Sequence, residues 1–298
     1  MAAITQPARQ RSSLERFFKS GRTDSPFKRI LIHALLILCC VIAVYPVLRV
    51  LSVSLRPGDR LLSTSLAIIP ADATLDAYKT VLVDKEFPRW LWNSLTITIG
   101  TAVVGVILAS TSAYAFSRWK FPGRGPGMLF LLATQMIPAP MLIVPIYILA
   151  TKLGLTETYR GLVIAYSVSS IPFSVWILKG YYDTIPRDLE EAGMIDGASP
   201  IGTFWRIILP LSTPALAIVF LFNFMTAWND YLFARIMLGK SQELWTWPLG
   251  LQSFQGQFQT QWGFFSAASI MVMIPVLTLF LYSSKWLISG LTLGSVKG

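Results

Sequence analysis

The chain has 298 residues, 54% of them hydrophobic and only 13% charged, with a mean hydropathy of +0.58. A soluble domain has roughly a quarter of its residues charged, so too few charges remain to cover a water-facing surface, and the solvent expected is a lipid bilayer. The net charge of +10 does not point to nucleic acid, because the excess gathers ahead of the first apolar run, where Arg9, Arg11, Arg16, Lys19, Arg22, Lys28 and Arg29 meet only Glu15 and Asp24. That is how a cytoplasmic flank reads under the positive-inside rule.

Residues 1–29 therefore read as a polar cytoplasmic tail. The first apolar run, 30–53, is long enough to cross a hydrocarbon core of about 30 Å and too long for a signal-peptide core. Its neighbours Cys39 and Cys40 point in different directions on one helix and predict no disulfide. The single histidine, His33, has no nearby ligand set, and no metal site is expected. Loop 56–89 balances its bases with acids and can lie outside, so residues 30–88 form a first span plus external loop. The second span, 90–116, opens on Trp90 and Trp92, suited to the headgroup level. Loop 117–126 carries Arg118, Lys120 and Arg124 with no acid and returns the chain to the cytoplasm.

The third span, 127–150, contains Pro138, Pro140 and Pro145. It reads either as a bent packing helix or as a pore-lining hinge. Spans four to six are expected at 160–178, 211–234 and 263–286, followed by a short tail, 287–298. Between the last two spans lies loop 235–262, whose LQSFQGQFQTQW is polar, uncharged and aromatic. Such a loop suits recognition of carbohydrate or of a protein groove, or simply packs on its own bundle. Parity gives an all-α protein of six transmembrane helices with both termini in the cytoplasm, its core in residues 89–286.

One cytoplasmic stretch, 183–210, is acidic where the charge rule expects bases. Acids contribute little to orientation, so the topology stands and the cluster needs a purpose. Asp183 or Thr184 is placed to cap a helix with Pro186 in its first turn. Asp188, Glu190 and Glu191 then complement the helix dipole, and Gly197 stops the helix. Ser199 caps a second helix, with Pro200 at its first position and Pro210 closing it. Two short helices joined by a Gly-Ala-Ser turn result. The small residues Ala192, Gly193, Gly197 and Ala198 permit close approach to another surface; an ordinary amphipathic connector is the alternative.

Glu191-Ala192-Gly193, then Gly197, Ile207, Leu209 and Pro210 at their spacing, match the E-A-A-x3-G-x9-I-x-L-P signature. In this the chain resembles the permease subunits of binding-protein-dependent ABC importers, with Gly193 where the signature has alanine. The pieces LWNSL (91–95), AYAFSR (113–118), FPG (121–123), LKGYYDTIP (178–186), AWNDYLFA (227–234) and GLTLGSVKG (290–298) resemble the carbohydrate branch, and within it the small subunit of maltose-type systems.

The resemblance implies a type I ABC importer permease fold and a segment that docks on an ATPase. It puts Glu191 and Gly197 at the functional positions, flanked by Glu190, Ala192, Gly193, Asp196, Ala198 and Pro210. It further implies a tail, with Ser295 and Lys297, that contacts the ATPase. Implied partners are a second permease, two ATPase subunits and an extracytoplasmic sugar-binding protein, in the inner (plasma) membrane of a prokaryote. The cargo implied is a sugar or oligosaccharide of the maltose/maltodextrin kind.

The chain has no G-x4-G-K-[ST] phosphate loop, so ATP and Mg2+ are expected in the partner subunits, with no cofactor bound here and no enzymatic activity in this subunit. A membrane-embedded enzyme is disfavoured by the lack of H-E-x-x-H and G-x-S-x-G. A secondary transporter calls for midplane carboxylates or repeated broken helices, and the sequence displays neither. Asn93, Gln135, Asn223, Asn229 and Asp230 are candidates for a substrate path, or else polar groups that bond helices together. Asp230 and Arg49, charged and near span ends, are placed either to touch substrate or to snorkel and pair structurally.

Overall fold

The computed structural model describes residues 25–59, 67–239, 241–256 and 259–295. Most of the N-terminal tail and Lys297 thus lie outside the described residues. Among these, everything regular is helical, apart from one bridge pairing Gln255 with Thr260.

Helix α1 (Pro26–Ser54) begins where Ser25 accepts a hydrogen bond from the Lys28 N–H, with proline at its first position. None of its most apolar window is buried among the described residues. A short helix, α2 (Asp76–Val83), leads into α3 (Phe87–Arg118). Helices α3, α6 (Tyr159–Thr184) and α12 (Trp262–Ser295, apolar through Trp286) are long enough to cross a membrane, as is α1.

Two further spans are bent. In the first, α4 (Arg124–Thr134) and α5 (Ala139–Lys152) meet at 103°. Pro138 has no N–H to bond back into α4, and its ring drives Ile137 out of the helical region. Pro140 then sits in the first turn of α5, where a missing N–H costs nothing. Pro46, Pro145, Pro172 and Pro275 lie inside helices that continue. The third span is therefore two helices rather than one bent rod.

The second bend, 79°, separates α8 (Pro200–Leu211) from α9 (Thr213–Trp228). Counting each bent pair as one gives the six spans expected. Helix α8 ends at Leu211, one residue past the Pro210 at which the sequence placed its close. Lacking an N–H for the Arg206 carbonyl, Pro210 is preceded by a π turn, Phe204–Ile208, in which the Leu209 N–H bonds back to the Phe204 carbonyl.

The fifth span ends at Trp228, short of residue 234, because the chain turns there into α10 (Leu232–Leu238). With α11 (Trp247–Gln252), α10 folds the expected outer loop back onto the bundle. Phe233, Met237, Leu238, Leu249 and Leu251 are all buried. Phe254, only 2% exposed, lies against Trp90 and Phe264 at ring separations of 5.8 and 6.1 Å. Of the two readings of this loop, packing on the bundle describes its first two-thirds; Phe258 lies outside the described residues. The bundle core is α3 against α6, with α9 laid across both.

Candidate coupling site

The acidic stretch forms at the foot of α3 and α6. Asp183 and Thr184, expected as caps, instead occupy the last turn of α6, which runs longer than the apolar pattern suggested. The Asp183 carboxylate accepts hydrogen bonds from Ser117 Oγ at 2.6 Å and Lys179 Nζ at 2.5 Å, tying the ends of α3 and α6 together. After the turn at Ile185-Pro186, α7 (Asp188–Ile195) starts with Arg187 at its N-cap and no capping side chain. Asp188, Glu190 and Glu191 in its first turn compensate the exposed N–H groups. Gly197 stops α7 at φ +88°, a conformation side chains resist, and Ser199 caps α8 by accepting from the Gly202 N–H.

The two neighbouring glutamates part ways. Glu190 is 7% exposed; its carboxylate accepts from Arg118 Nε on one oxygen and from Tyr114 Oη, at 2.8 Å, on the other. Glu191 is exposed, and its side chain makes no hydrogen bond or ion pair among the described residues. Ala192, Asp196 and Gly197 are exposed beside it, Ala198 is half-buried, and Gly193 is buried against α8. Around them stand large apolar side chains with no cover: Ile195 is 86% exposed, Ile201 69% and Trp205 57%. A cleft of about 180 Å3 opens between Trp119, Arg187, Glu191 and Met194, with Thr203 on its wall. The whole forms a small, mixed apolar and acidic face that no other described residue covers.

Tyr114 and Arg118 were not singled out as site residues from sequence, although the AYAFSR piece contains both. An arginine at the end of an apolar helix reads as a flank charge, and nothing local links it to a carboxylate 72 residues away.

The five polar residues proposed for a substrate path are not brought together. Asn93 is buried: its Nδ2 donates to the carbonyls of Glu243 and Trp245, both at 2.9 Å, and its Oδ1 accepts from Tyr159 Oη at 2.7 Å. Asn223, fully enclosed, exchanges hydrogen bonds with Ser174 between α9 and α6. Asp230 accepts from Tyr166 Oη at 2.8 Å and from the Ala234 N–H in the first turn of α10. Asn229 bonds its own helix through the Met225 carbonyl. Gln135 lines an open cavity, of about 450 Å3, at the break between α4 and α5, where its Nε2 donates to the Ser169 carbonyl. Of the remaining candidates, Ser295 ends α12 and Lys297 lies outside the described residues.

The role of Asn93 gives a direct expectation. Asn93→Leu removes the three hydrogen bonds by which Asn93 ties Glu243, Trp245 and Tyr159 to α3, each worth about 0.5–1.5 kcal/mol. The variant should melt several degrees below the wild type in detergent, with the outer loop 241–256 loosened first in hydrogen exchange.

Residues 102–292 match the profile of the family described as the inner membrane component of binding-protein-dependent transport systems. The chain belongs to that family. The matched region runs from the middle of α3 into α12 and contains the acidic stretch 183–210. The chain is 35% identical over 286 residues to the maltose/maltodextrin permease MalG of Escherichia coli K12, covering 89% of this chain and 95% of that one. It is 34% identical over 281 residues to the maltodextrin permease MdxG of Bacillus subtilis, covering 94% and 100%. It is also 36% identical over 270 residues to the galactooligosaccharide permease GanQ of the same organism, covering 89% and 94%. In fold it matches a chain of a bacterial ABC transporter involved in alginate import, with a TM-score of 0.78 at 24% identity over 94% of this chain and all of that one. The chain is thus an all-helical, multi-pass membrane permease of the MalG-like type.

Proposed function

We propose that this chain is one of two permease subunits of an ATP-driven importer that takes an oligosaccharide of the maltodextrin class from an extracytoplasmic binding protein. The observation that carries this reading is the exposed face of α7 and α8, on which the Glu191 side chain has no partner among the described residues and stands beside exposed Ile195, Ile201 and Trp205. Exposed apolar patches of this kind mark protein interfaces, and an unpaired acid at the rim gives a basic partner its register. ATP and Mg2+ belong to two partner ATPases. The face docks in a cleft on one of them, and closure of the pair drives the bundle between inward- and outward-facing forms. Both termini lie in the cytoplasm of a prokaryotic cell. The permeases MalG and MdxG support a maltodextrin cargo, and the galactooligosaccharide permease keeps the oligosaccharide class broader than one linkage.

The test is purification of the tagged chain from its native membrane in mild detergent. Two ATPase copies, one second permease and no other stoichiometric membrane protein are expected. The hydrolysis of that complex should rise when its binding protein is added with maltodextrin. A chain that purifies alone, or with a partner lacking an ATP site, contradicts the proposal.

The tail carries a separate expectation. Residues 290–298 end on a short Gly, Thr and Ser stretch with Lys297 near its close, which suits contact with another subunit. Deleting them should preserve membrane insertion while weakening retention of the ATPase or its stimulation by the binding protein. Wild-type uptake by the truncated chain would remove the tail from the coupling scheme.

A further inference from the structure

We propose that Glu190 is a positioning residue that fastens the coupling helix to the pore-forming spans, so that a displacement of α7 is delivered to α3 and α6 together. The proposal rests on the coupling reading of α7 and adds a division of labour within it. Glu191 engages the partner, and Glu190 transmits what the partner does.

Helix α7 has eight residues, too few to be stable or rigid on its own. Its backbone links are both turns: Ile185-Pro186 on one side and the left-handed Gly197 on the other. A push on such an element would be lost in the two turns unless side chains bridge it to something stiff. Glu190 supplies that bridge. Both of its oxygens are taken by donors on the last two turns of α3, Arg118 Nε and Tyr114 Oη. The Arg118 and Glu190 side chains are 8% and 9% exposed.

The bridge continues past α3. Arg118 also donates from Nη2 to the Ile185 carbonyl at 3.1 Å, gripping the turn that leads out of α6. Its Nη1 donates to Ser117 Oγ at 3.1 Å, and Ser117 in turn bonds Asp183 at the end of α6. The Tyr114 ring packs 4.7 Å from Phe204 in the π turn of α8 and 6.4 Å from Tyr182 of α6. One buried carboxylate therefore closes a network that joins α3, α6, α7 and α8. A buried ion pair is a weak source of net stability, yet removal of one partner is costly because the other is left uncompensated. Its value here is geometric, since a two-point grip on a carboxylate fixes the orientation of the helix that bears it.

The experiment uses the full chain in nanodiscs, first alone and then assembled with its ATPases, second permease and binding protein. The variants are Glu190→Ala, Arg118→Ala, Tyr114→Phe and the exchange Glu190→Arg with Arg118→Glu. Glu190→Ala and Arg118→Ala are expected to raise amide exchange in 187–196 at least tenfold in the chain alone. They should retain the ATPase within about twofold of wild type and hydrolyse at least ten times more ATP per sugar imported. Tyr114→Phe, which removes one donor and keeps the ring, should show the same changes to a smaller degree. The exchanged pair should recover most of the lost coupling.

Unchanged exchange in the single variants would overturn the proposal, as would an exchanged pair no better than its parents. Loss of the ATPase from Glu190→Ala would also overturn it, by making Glu190 a docking residue. Because the exchange arm needs no partner, it fails or succeeds independently of whether α7 docks on an ATPase.

Discussion

Glu191→Lys is expected to reach the membrane at wild-type abundance, to lose the ATPase subunits on purification and to abolish uptake. Within its own chain the side chain does little. It sits in the first turn of an eight-residue helix, where a negative charge contributes about 0.3–1 kcal/mol against the dipole, and it is exposed and unpaired among the described residues. Folding and insertion should survive the reversal. At a docked interface the same change brings two like charges together in a partly desolvated cleft. Breaking a pair of that kind costs several kcal/mol, or about a thousandfold in association.

Gly197→Asp should act in the same direction for a reason the geometry makes specific. A Cβ built there meets no atom within 4 Å, so no clash arises inside the chain, while the φ of +88° costs a side chain about 1–2 kcal/mol. Uptake lost beyond that small strain reports the partner's surface. Gly193→Ala is the contrast: its Cβ crowds the flexible tip of Ile207, at 2.6 Å, and reaches Thr203 at ordinary contact distance, 3.7 Å, so near-normal uptake is expected. Normal uptake by Glu191→Lys and Gly197→Asp at matched expression would remove the coupling role from this segment.

The second large effect lies on the opposite side of the membrane. Gly250→Ala places a Cβ 2.0 Å from ring carbons of Trp90, and that ring is held between Phe254 and the top of α3. No rotamer change at the glycine relieves the overlap, so either the indole or the whole of α11 must move. Overpacking of this kind typically costs about 1–3 kcal/mol, and more where the neighbour cannot give. The variant should show a clear fall in melting temperature and in folded yield by size-exclusion chromatography, while the folded fraction still retains its ATPases. Gly180→Ala, at an open position on α6, is the control and should be neutral or slightly stabilising. Equal melting temperatures for Gly250→Ala and the wild type would mean that α11 does not lie on Trp90.

What the sequence could convey follows from the range over which each signal acts. Spans are written in consecutive residues, so their number was legible, along with the turn at Gly197 and the cap at Ser199. The break at Pro138 was visible only as a run of prolines. Whether such a run bends or severs a helix depends on spacing, and Pro138 with Pro140 restarts the helix where Pro145 merely interrupts its bonding. The fold-back after Trp228 was hidden because α10 is as apolar as the span it follows, and hydropathy does not record a change of direction. The outer loop looked free because glutamines dominate it, yet Leu249, Leu251 and Phe254 alternate inward and bury it.

The same limit governs the polar residues. Asn93, Asn223 and Asp230 were rightly marked as unusual in apolar surroundings, but their partners lie in other helices or loops, at Glu243, Ser174 and Tyr166. The signature centred on Glu191 and gave Glu190 only as its flank, since spacing along a chain says nothing about which oxygen faces Arg118.

The central claim is that the chain moves oligosaccharide only as part of an ATP-driven assembly. It is tested most directly by uptake of radiolabelled maltodextrin into proteoliposomes that contain the purified complex, with the binding protein outside and ATP enclosed. The account predicts uptake that needs enclosed ATP and the binding protein together, and that disappears with Glu191→Lys while the variant remains in the bilayer. Uptake by the chain without ATPases, driven by an imposed ion gradient, would contradict it.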